Sequence, residues 1–268
     1  MTTVDIFALA LIVFLGIPHG SLDGVIARRL GWSKNLIEQI SFNVIYLSIA
    51  ILVVIIWFNM PLVSLSIFLV ISGIHFGISD ISKIQNNGPS YYFSLTSHAG
   101  FIPIALPVIQ KDYVIEIFTI LSNNTASKII VSTLETIYPL YLVVVTAYFC
   151  YSIYDKKWLF NSVSLIILIL IAFLIPPLLT FALYFCFWHS RGHMLRIWQK
   201  VEIYERRSYI LETVGYTIFT WLILASGLWL LNGSLNESII RMVFIGLAAL
   251  TVPHMILVDF WANRRKVL

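Results

Sequence analysis

Apolar residues fill nine long stretches of the chain, and short polar or proline-containing connections separate them. Each stretch has roughly the 20 mostly apolar residues that one helical crossing of a membrane requires. The pattern therefore predicts about nine transmembrane helices. Their ranges are 4–27, 38–58, 61–80, 91–110, 137–154, 158–175, 178–198, 209–231 and 238–262.

The sixth and seventh stretches meet at Pro176 and Pro177. A single helix across both would be about 60 Å long, which is twice the thickness of the hydrocarbon core. We therefore expect the chain to turn at the two prolines. Eight spans is the alternative, if the prolines only kink one helix.

The composition excludes an ordinary soluble protein. Of the 268 residues, 59% are hydrophobic and only 11% are charged, and the mean hydropathy is +0.91. A transmembrane β-barrel is excluded as well, because its strands would be segments of about 10 residues with alternating polarity. The sequence thus predicts an all-α, polytopic integral membrane bundle in which residues 1–268 form one membrane-embedded domain.

Basic residues follow the odd-numbered stretches and are scarce after most even-numbered ones. Because Lys and Arg accumulate in cytoplasmic connections, this asymmetry predicts an N-terminus outside the cytoplasm and a C-terminus inside it. The net charge of +4 is scattered along the connections, which argues against a nucleic-acid partner. The basic residues in question are Arg28, Arg29, Lys34, Lys83, Lys156, Lys157, Lys200, Arg206, Arg207, Arg264, Arg265 and Lys266.

All six histidines lie inside the apolar stretches, where ionisable side chains are costly and usually mark function. Most of them are about 10 to 15 Å from the cytoplasmic ends of their helices, counting about 1.5 Å per residue. His189 and His193 are one turn apart, so they share a helix face and can bind one ion. We expect His98 to be a hydrogen-bonded packing residue. The full set is His19, His75, His98, His189, His193 and His254.

Three carboxylates accompany the histidines. Asp23 is four residues after His19, so on an α-helix it faces the same way and can accept the second N–H of that imidazole. Asp80 and Asp259 each follow a histidine by five residues, which turns them about 140° away from it. We expect these two to orient a ligand on another helix or to meet cytoplasmic water.

Imidazole ligands without a thiolate suit zinc, copper, iron or nickel. No stretch offers a Glu beside a histidine, which weighs against zinc hydrolysis. An oxygen-using iron needs a dry apolar pocket and a lipid-soluble substrate, and aromatic side chains near the histidines can line a tunnel for a long, flat hydrocarbon. The residues predicted to line it are Phe76, Phe101, Tyr184, Phe185, Phe187, Trp188 and Met255.

Four motifs in fixed order, GIPHGSLDG, HFGISD, WHSRGHMLR and TVPHMILVD, resemble the Brp/Blh family of membrane β-carotene 15,15′-dioxygenases. The resemblance covers the whole chain and implies cleavage of the central double bond of β-carotene by O₂, giving two retinals, at a non-haem Fe²⁺ site. It implies that the iron ligands are His19, His75, His189 and His193. His254 either supports a ligand or is a further ligand itself.

The resemblance further implies a multi-pass protein of a prokaryotic inner (plasma) membrane that passes retinal to a microbial rhodopsin in the same bilayer. Two other classes stay open. A membrane di-iron hydroxylase or desaturase is one, although six histidines with one HxxxH pair fall short of its usual ligand count. A transporter lined by His and Asp is the other, and the lack of an internal repeat counts against it.

Overall fold

A computed structural model describes residues 1–32, 35–82, 88–229, 231 and 233–262. These residues form helices and no strand, which confirms the all-α prediction. Lys34, Lys83 and the C-terminal bases at 264–266 lie outside the described residues. The α-helices are α1 Thr3–Leu11, α2 Asp23–Arg29, α3 Leu36–Asn59, α4 Pro61–Asp80, α5 Pro89–Ala99, α6 Leu106–Ile109, α7 Lys111–Leu121, α8 Asn124–Tyr154, α9 Leu159–Leu174, α10 Pro177–Leu183, α11 Arg191–Trp198, α12 Arg206–Leu228 and α13 Leu235–Met255.

Short segments of different helical pitch interrupt or extend several of these helices. The segments Ile17–Leu22 and Lys156–Trp158 are 3₁₀-helical, with a tighter turn than the α-helix. Four others have the wider π-helical turn, which is rare in proteins. These four are Ile12–Gly16, Phe101–Ala105, Tyr184–Ser190 and Ile256–Ala262.

Seven helices in the described part of the chain are long and apolar enough to cross a membrane. An eighth is added if the bent pair Pro89–Ala99 and Phe101–Ile109 counts as one crossing. The predicted stretch 178–198 is helical but is not among the seven, because its two histidines and two arginines lower its hydropathy. The chain is thus a membrane protein with several crossing helices.

The predicted turn at the double proline is confirmed. Helix α9 ends at Leu174, Ile175 has extended backbone with φ −127° and ψ 155°, and α10 begins at Pro177. Proline fits this position because it fixes φ near the helical value and lacks the N–H that the first turn leaves unbonded.

Polar side chains define where several helices begin. Thr2 and Asp5 form a capping box on α1, in which each side chain accepts a bond from the other residue's backbone N–H. Asn35 and Asn123 accept backbone N–H groups at the starts of α3 and α8, and Ser234 does so at α13.

Contacts along the chain divide it into two compact units. We call residues Met1–Met60 with Phe185–Leu268 the terminal unit, and residues Pro61–Tyr184 the central unit. A single catalytic domain spanning both stays a prediction. In the terminal unit α3 packs along α13, and α12 packs against the 3₁₀ segment Ile17–Leu22. Part of its apolar core consists of Leu22, Val25, Ile26, Ala27, Leu30, Phe42, Ile197, Val201, Tyr209, Leu257, Val258 and Ala262.

Close packing of α4 and α5 organises the central unit. A Cβ atom on Gly73 would lie 2.5 Å from the Ala99 carbonyl oxygen, and one on Gly77 would lie 2.9 Å from the Leu95 carbonyl oxygen. Small residues four apart let two membrane helices approach in this way. Across this contact, the side chain of Asp80, the last residue of α4, bonds to His98 of α5.

Large apolar side chains cover much of the exposed surface, whereas polar groups are buried. Phe160 is 73% exposed and Leu174 is 80% exposed, as expected of residues whose solvent is lipid. The six histidines are all at most 8% exposed. Buried imidazoles need polar partners, so their surroundings indicate where chemistry is located.

Candidate metal centre

Four imidazoles come together in the terminal unit, and we call them the histidine cluster: His19, His189, His193 and His254. The ring centroid of His19 is 5.4 Å from that of His189, 5.9 Å from His193 and 5.3 Å from His254. The His193 and His254 centroids are 5.2 Å apart. Residues far apart in sequence thus bring their imidazole rings to one buried place.

Every member of the cluster lies in or beside a segment that is not α-helical. His19 is in the 3₁₀ segment, and His189 is in the π segment Tyr184–Ser190. His193 follows that π segment by three residues, and His254 precedes the π segment Ile256–Ala262 by two. Such turns often occur at functional sites, because they redirect side chains relative to a regular helix.

Irregular turns alter the backbone bonding inside a membrane, and side chains here bond to carbonyls near those turns. The indole Nε1 of Trp221 donates to the Val13 carbonyl oxygen at 2.9 Å. The thiol of Cys186 donates to the Leu11 carbonyl oxygen at 3.3 Å. The π segment Ile12–Gly16 and the residue before it are therefore held by specific bonds.

Asp23 supports His254. The Nδ1–H of His254 donates to Asp23 Oδ1 at 2.7 Å, and the Tyr46 hydroxyl donates to Asp23 Oδ2 at 2.7 Å. Because the carboxylate holds a proton on Nδ1, Nε2 of a neutral His254 carries the lone pair. Carboxylates commonly orient metal-binding histidines in this way.

The sequence-based assignment of Asp23 to His19 is therefore wrong. It assumed α-helical geometry, in which residues four apart share a face. Residues 17–22 are instead 3₁₀-helical, with about 3.0 residues per turn, so a spacing of four turns Asp23 about 120° away from His19.

His19 has a different partner. Its Nδ1 is 2.5 Å from the Gly16 carbonyl oxygen and 3.2 Å from Ser190 Oγ. A carbonyl oxygen only accepts hydrogen bonds, so Nδ1 carries the proton and Nε2 of the neutral ring carries the lone pair. Ser190 had no signal in the sequence beyond its place beside His189.

An aromatic ring covers one side of the cluster. Phe185 stacks on His189 with centroids 6.0 Å apart and an angle of 10° between the rings, and it meets His19 edge-on at 5.2 Å. The approach depends on Gly16, because a Cβ atom there would lie 2.3 Å from the Phe185 ring. The donors are thus packed against apolar groups, which favours a water-poor site.

The donors suit a first-row transition metal such as iron. Two rings bound to one ion at a tetrahedral angle, each with its nitrogen about 2.1 Å away, have centroids about 5.2 Å apart. The observed 5.2 to 5.9 Å is close to this value. However, no three His, Cys, Asp or Glu side chains among the described residues have donor atoms already placed to hold an ion. The ring centres thus have the spacing of a shared site, whereas the nitrogens do not yet converge on one point.

The other two histidines belong to the central unit. His75, a predicted ligand, is 3% exposed on α4. His98 Nδ1 donates to Asp80 Oδ2 at 3.2 Å, and the Tyr184 hydroxyl donates to the same oxygen at 2.9 Å. His98 is therefore hydrogen-bonded and buried, which fits its predicted packing role. Asp80 orients a histidine of another helix, although not one of the predicted ligands.

The residues predicted to line a tunnel are divided between the units. Tyr184 contacts Phe76 and Phe101 in the central unit, with centroids 5.4 and 5.6 Å apart. The others belong to the terminal unit: Phe185 contacts the cluster, Met255 is buried beside His254, Trp188 is half-buried and Phe187 is 51% exposed. Asp259 is half-buried in the last π segment, and its supporting role stays a prediction.

Comparison with known proteins bears on the same residues. The sequence profile of the β-carotene 15,15′-dioxygenase family matches residues 10–262, which include all six histidines. A β-carotene 15,15′-dioxygenase from uncultured marine bacterium 66A03 is 37% identical over 263 residues, covering 96% of this chain and 94% of that protein. No solved structure matches the chain. The match over nearly its full length establishes that this chain belongs to the β-carotene 15,15′-dioxygenase family.

Proposed function

We propose that this chain cleaves the central 15,15′ double bond of β-carotene with O₂, giving two molecules of retinal, and that histidines hold the Fe²⁺ that the reaction uses. Family membership supports the reaction and sets the hydroxylase and transporter alternatives aside. The observation that carries the metal proposal is the gathering of four buried imidazoles in the terminal unit.

The proposed ligands are His19, His189 and His193, with His254 as a further ligand. His254 is included because Asp23 holds its Nδ1 proton and leaves Nε2 for the metal. His75 is retained as a ligand on the resemblance to the family, and substitution of that residue tests it directly.

Bound iron supplies the redox chemistry with O₂, and the protein supplies orientation and a dry environment. No protein nucleophile is required. Phe185 and the apolar residues around the cluster keep water from the reacting carbons. Because cleavage gives two equal products, the central bond must lie at the metal, and the path for the polyene extends equally far on both sides.

Cells that make β-carotene provide the test. Expression of the chain in aerobic, iron-replete cells should remove their orange colour and produce retinal, identified by chromatography. Purified protein should contain about one iron per chain, as expected of a mononuclear histidine site. Persistent colour with well-folded protein would contradict the reaction, and two irons per chain would favour a hydroxylase or desaturase instead.

We also propose that the chain crosses a prokaryotic plasma membrane an odd number of times, up to the nine that its apolar stretches allow. The N-terminus is then outside and the C-terminus in the cytoplasm. The positive-inside rule supports this orientation through Arg28 and Arg29 at the end of α2, Lys156 and Lys157 before α9, and Lys200 after α11. A C-terminal green fluorescent protein fusion should fluoresce, whereas a C-terminal alkaline phosphatase fusion should be inactive. A microbial rhodopsin in the same membrane is the proposed recipient of retinal.

A further inference from the structure

The Asp23 carboxylate lies between a tyrosine and a histidine, and each binds a different oxygen. Tyr46 binds Oδ2 and His254 binds Oδ1, both at 2.7 Å. Asp23 and His254 are each 3% exposed. The three residues come from α2, α3 and α13, so the two bonds join three helices at the edge of the histidine cluster.

A carboxylate at this depth is stable only if its oxygens accept hydrogen bonds. With one donor on each oxygen, the group cannot rotate about its Cβ–Cγ bond without breaking a bond. The Tyr46 hydroxyl oxygen is also 3.3 Å from the carbonyl oxygen of Leu250, one turn before His254 on α13. The tyrosine oxygen is therefore placed relative to both Asp23 and the helix that carries His254.

We propose that Tyr46 and Asp23 are positioning residues for the metal. Tyr46 fixes the Asp23 carboxylate, and Asp23 fixes the ring and tautomer of His254 so that Nε2 is its metal-binding nitrogen. This inference rests on the proposed function, in which the histidine cluster holds iron. Loss of a group that orients a metal ligand typically weakens metal affinity about 10- to 100-fold.

Cobalt binding tests the proposal without relying on activity. Metal-free, purified protein is titrated with Co²⁺, whose visible absorption reports both affinity and coordination geometry. We expect Tyr46→Phe to weaken Co²⁺ binding about 10-fold, and Asp23→Asn to weaken it up to about 100-fold. Both variants should change the absorption spectrum, because the ring of His254 is no longer held in place.

Tyr141→Phe is the matched control. The Tyr141 hydroxyl is also buried and donates to the Ser97 carbonyl oxygen at 2.9 Å, but it contacts no histidine through that bond. This variant should bind Co²⁺ like the wild type. Melting temperatures of all variants without metal separate a loss of folding from a loss of affinity.

A double variant distinguishes positioning from general stabilisation. In a His254→Ala background, Tyr46→Phe should change Co²⁺ affinity less than about twofold, because the ring that it positions is gone. An equal loss in both backgrounds would overturn the proposal. If His254→Ala leaves no measurable affinity, the spectrum of Tyr46→Phe decides, and a spectrum identical to the wild type would overturn it. A wild-type chain that binds neither Co²⁺ nor Fe²⁺ would instead refute the proposed metal site.

Discussion

The terminal and central units each contain a buried pair of Asp and His with a tyrosine on the carboxylate. Asp23, His254 and Tyr46 form one, and Asp80, His98 and Tyr184 form the other. In both, the carboxylate accepts from the Nδ1 of a histidine on another helix. The donors are of the same types, although they bind both oxygens of Asp23 and only Oδ2 of Asp80, so such a pair does not by itself mark a metal site.

The difference lies in what surrounds each imidazole. His254 is within 5.3 Å, centroid to centroid, of two further histidine rings. His98 meets the ring of Tyr148 at 5.9 Å, and its Nε2 is buried without a hydrogen-bond partner among the described residues. A carboxylate can orient one ring, but only several nitrogen donors in one place can bind an ion.

The largest expected effect comes from removing nitrogen donors from the cluster. Single His→Ala substitutions should each reduce the iron content at His19, His189, His193 and His254. At the first three of these positions, cleavage of β-carotene should also fall at least about 100-fold. His75→Ala should behave like the first three, because His75 is a proposed ligand as well. Iron analysis and retinal formation by purified variants measure both effects, and full activity after His189→Ala would refute the ligand set.

A smaller effect is expected from Gly16→Ala, which changes no donor. The new Cβ would lie 2.3 Å from the ring of Phe185, so that ring must move. Overpacking of this kind lowers the free energy of unfolding by about 1 to 3 kcal/mol. We expect cleavage to slow by about 10-fold, as for other changes around metal ligands. Gly20→Ala is the control, since no described atom lies within 4 Å of a Cβ there. Equal rates for the two variants would show that Phe185 does not position the cluster.

The smallest effect on activity is expected in the central unit. His98→Ala removes a hydrogen bond to the Asp80 carboxylate and should lower the free energy of unfolding by about 2 kcal/mol. Much of the cleavage activity and the full iron content should remain. A loss of iron as complete as that of His19→Ala would remove the distinction between the two pairs.

Much of the fold followed from the apolar pattern. The helical class and the turn at Pro176 and Pro177 were predictable, because a bilayer limits helix length and proline disrupts helix bonding. The start of α8 at Asn124 was not predicted, since its first turns carry polar residues that fall outside any apolar stretch. Stretch 178–198 lacks the hydropathy of a crossing helix because it contains two histidines and two arginines, which are the residues that made it a candidate site.

The site was predictable in its residue types but not in its partners. The sequence placed His189 and His193 together, and their ring centroids lie 5.4 and 5.9 Å from that of His19, while the binding of one ion by the pair stays a prediction. The bond from His254 to Asp23 was not foreseen, since 231 positions separate the two residues and only the folded chain brings them together. Tyr46 carried no signal at all, because one tyrosine in an apolar helix usually indicates packing.

The π segments have a consequence for how this protein tolerates change in length. Compared with an α-helix, a π turn holds one extra residue and rotates the chain less at each residue, so deleting that residue restores regular pitch and leaves the helix beyond it in nearly the same orientation. At Ile12–Gly16 and Tyr184–Ser190, such a deletion would mainly change which side chains the turn itself presents, whereas a deletion within a regular α-helix would rotate every side chain beyond it by about 100°. The π turns are thus the positions at which this membrane catalyst can best accommodate a change in helix length.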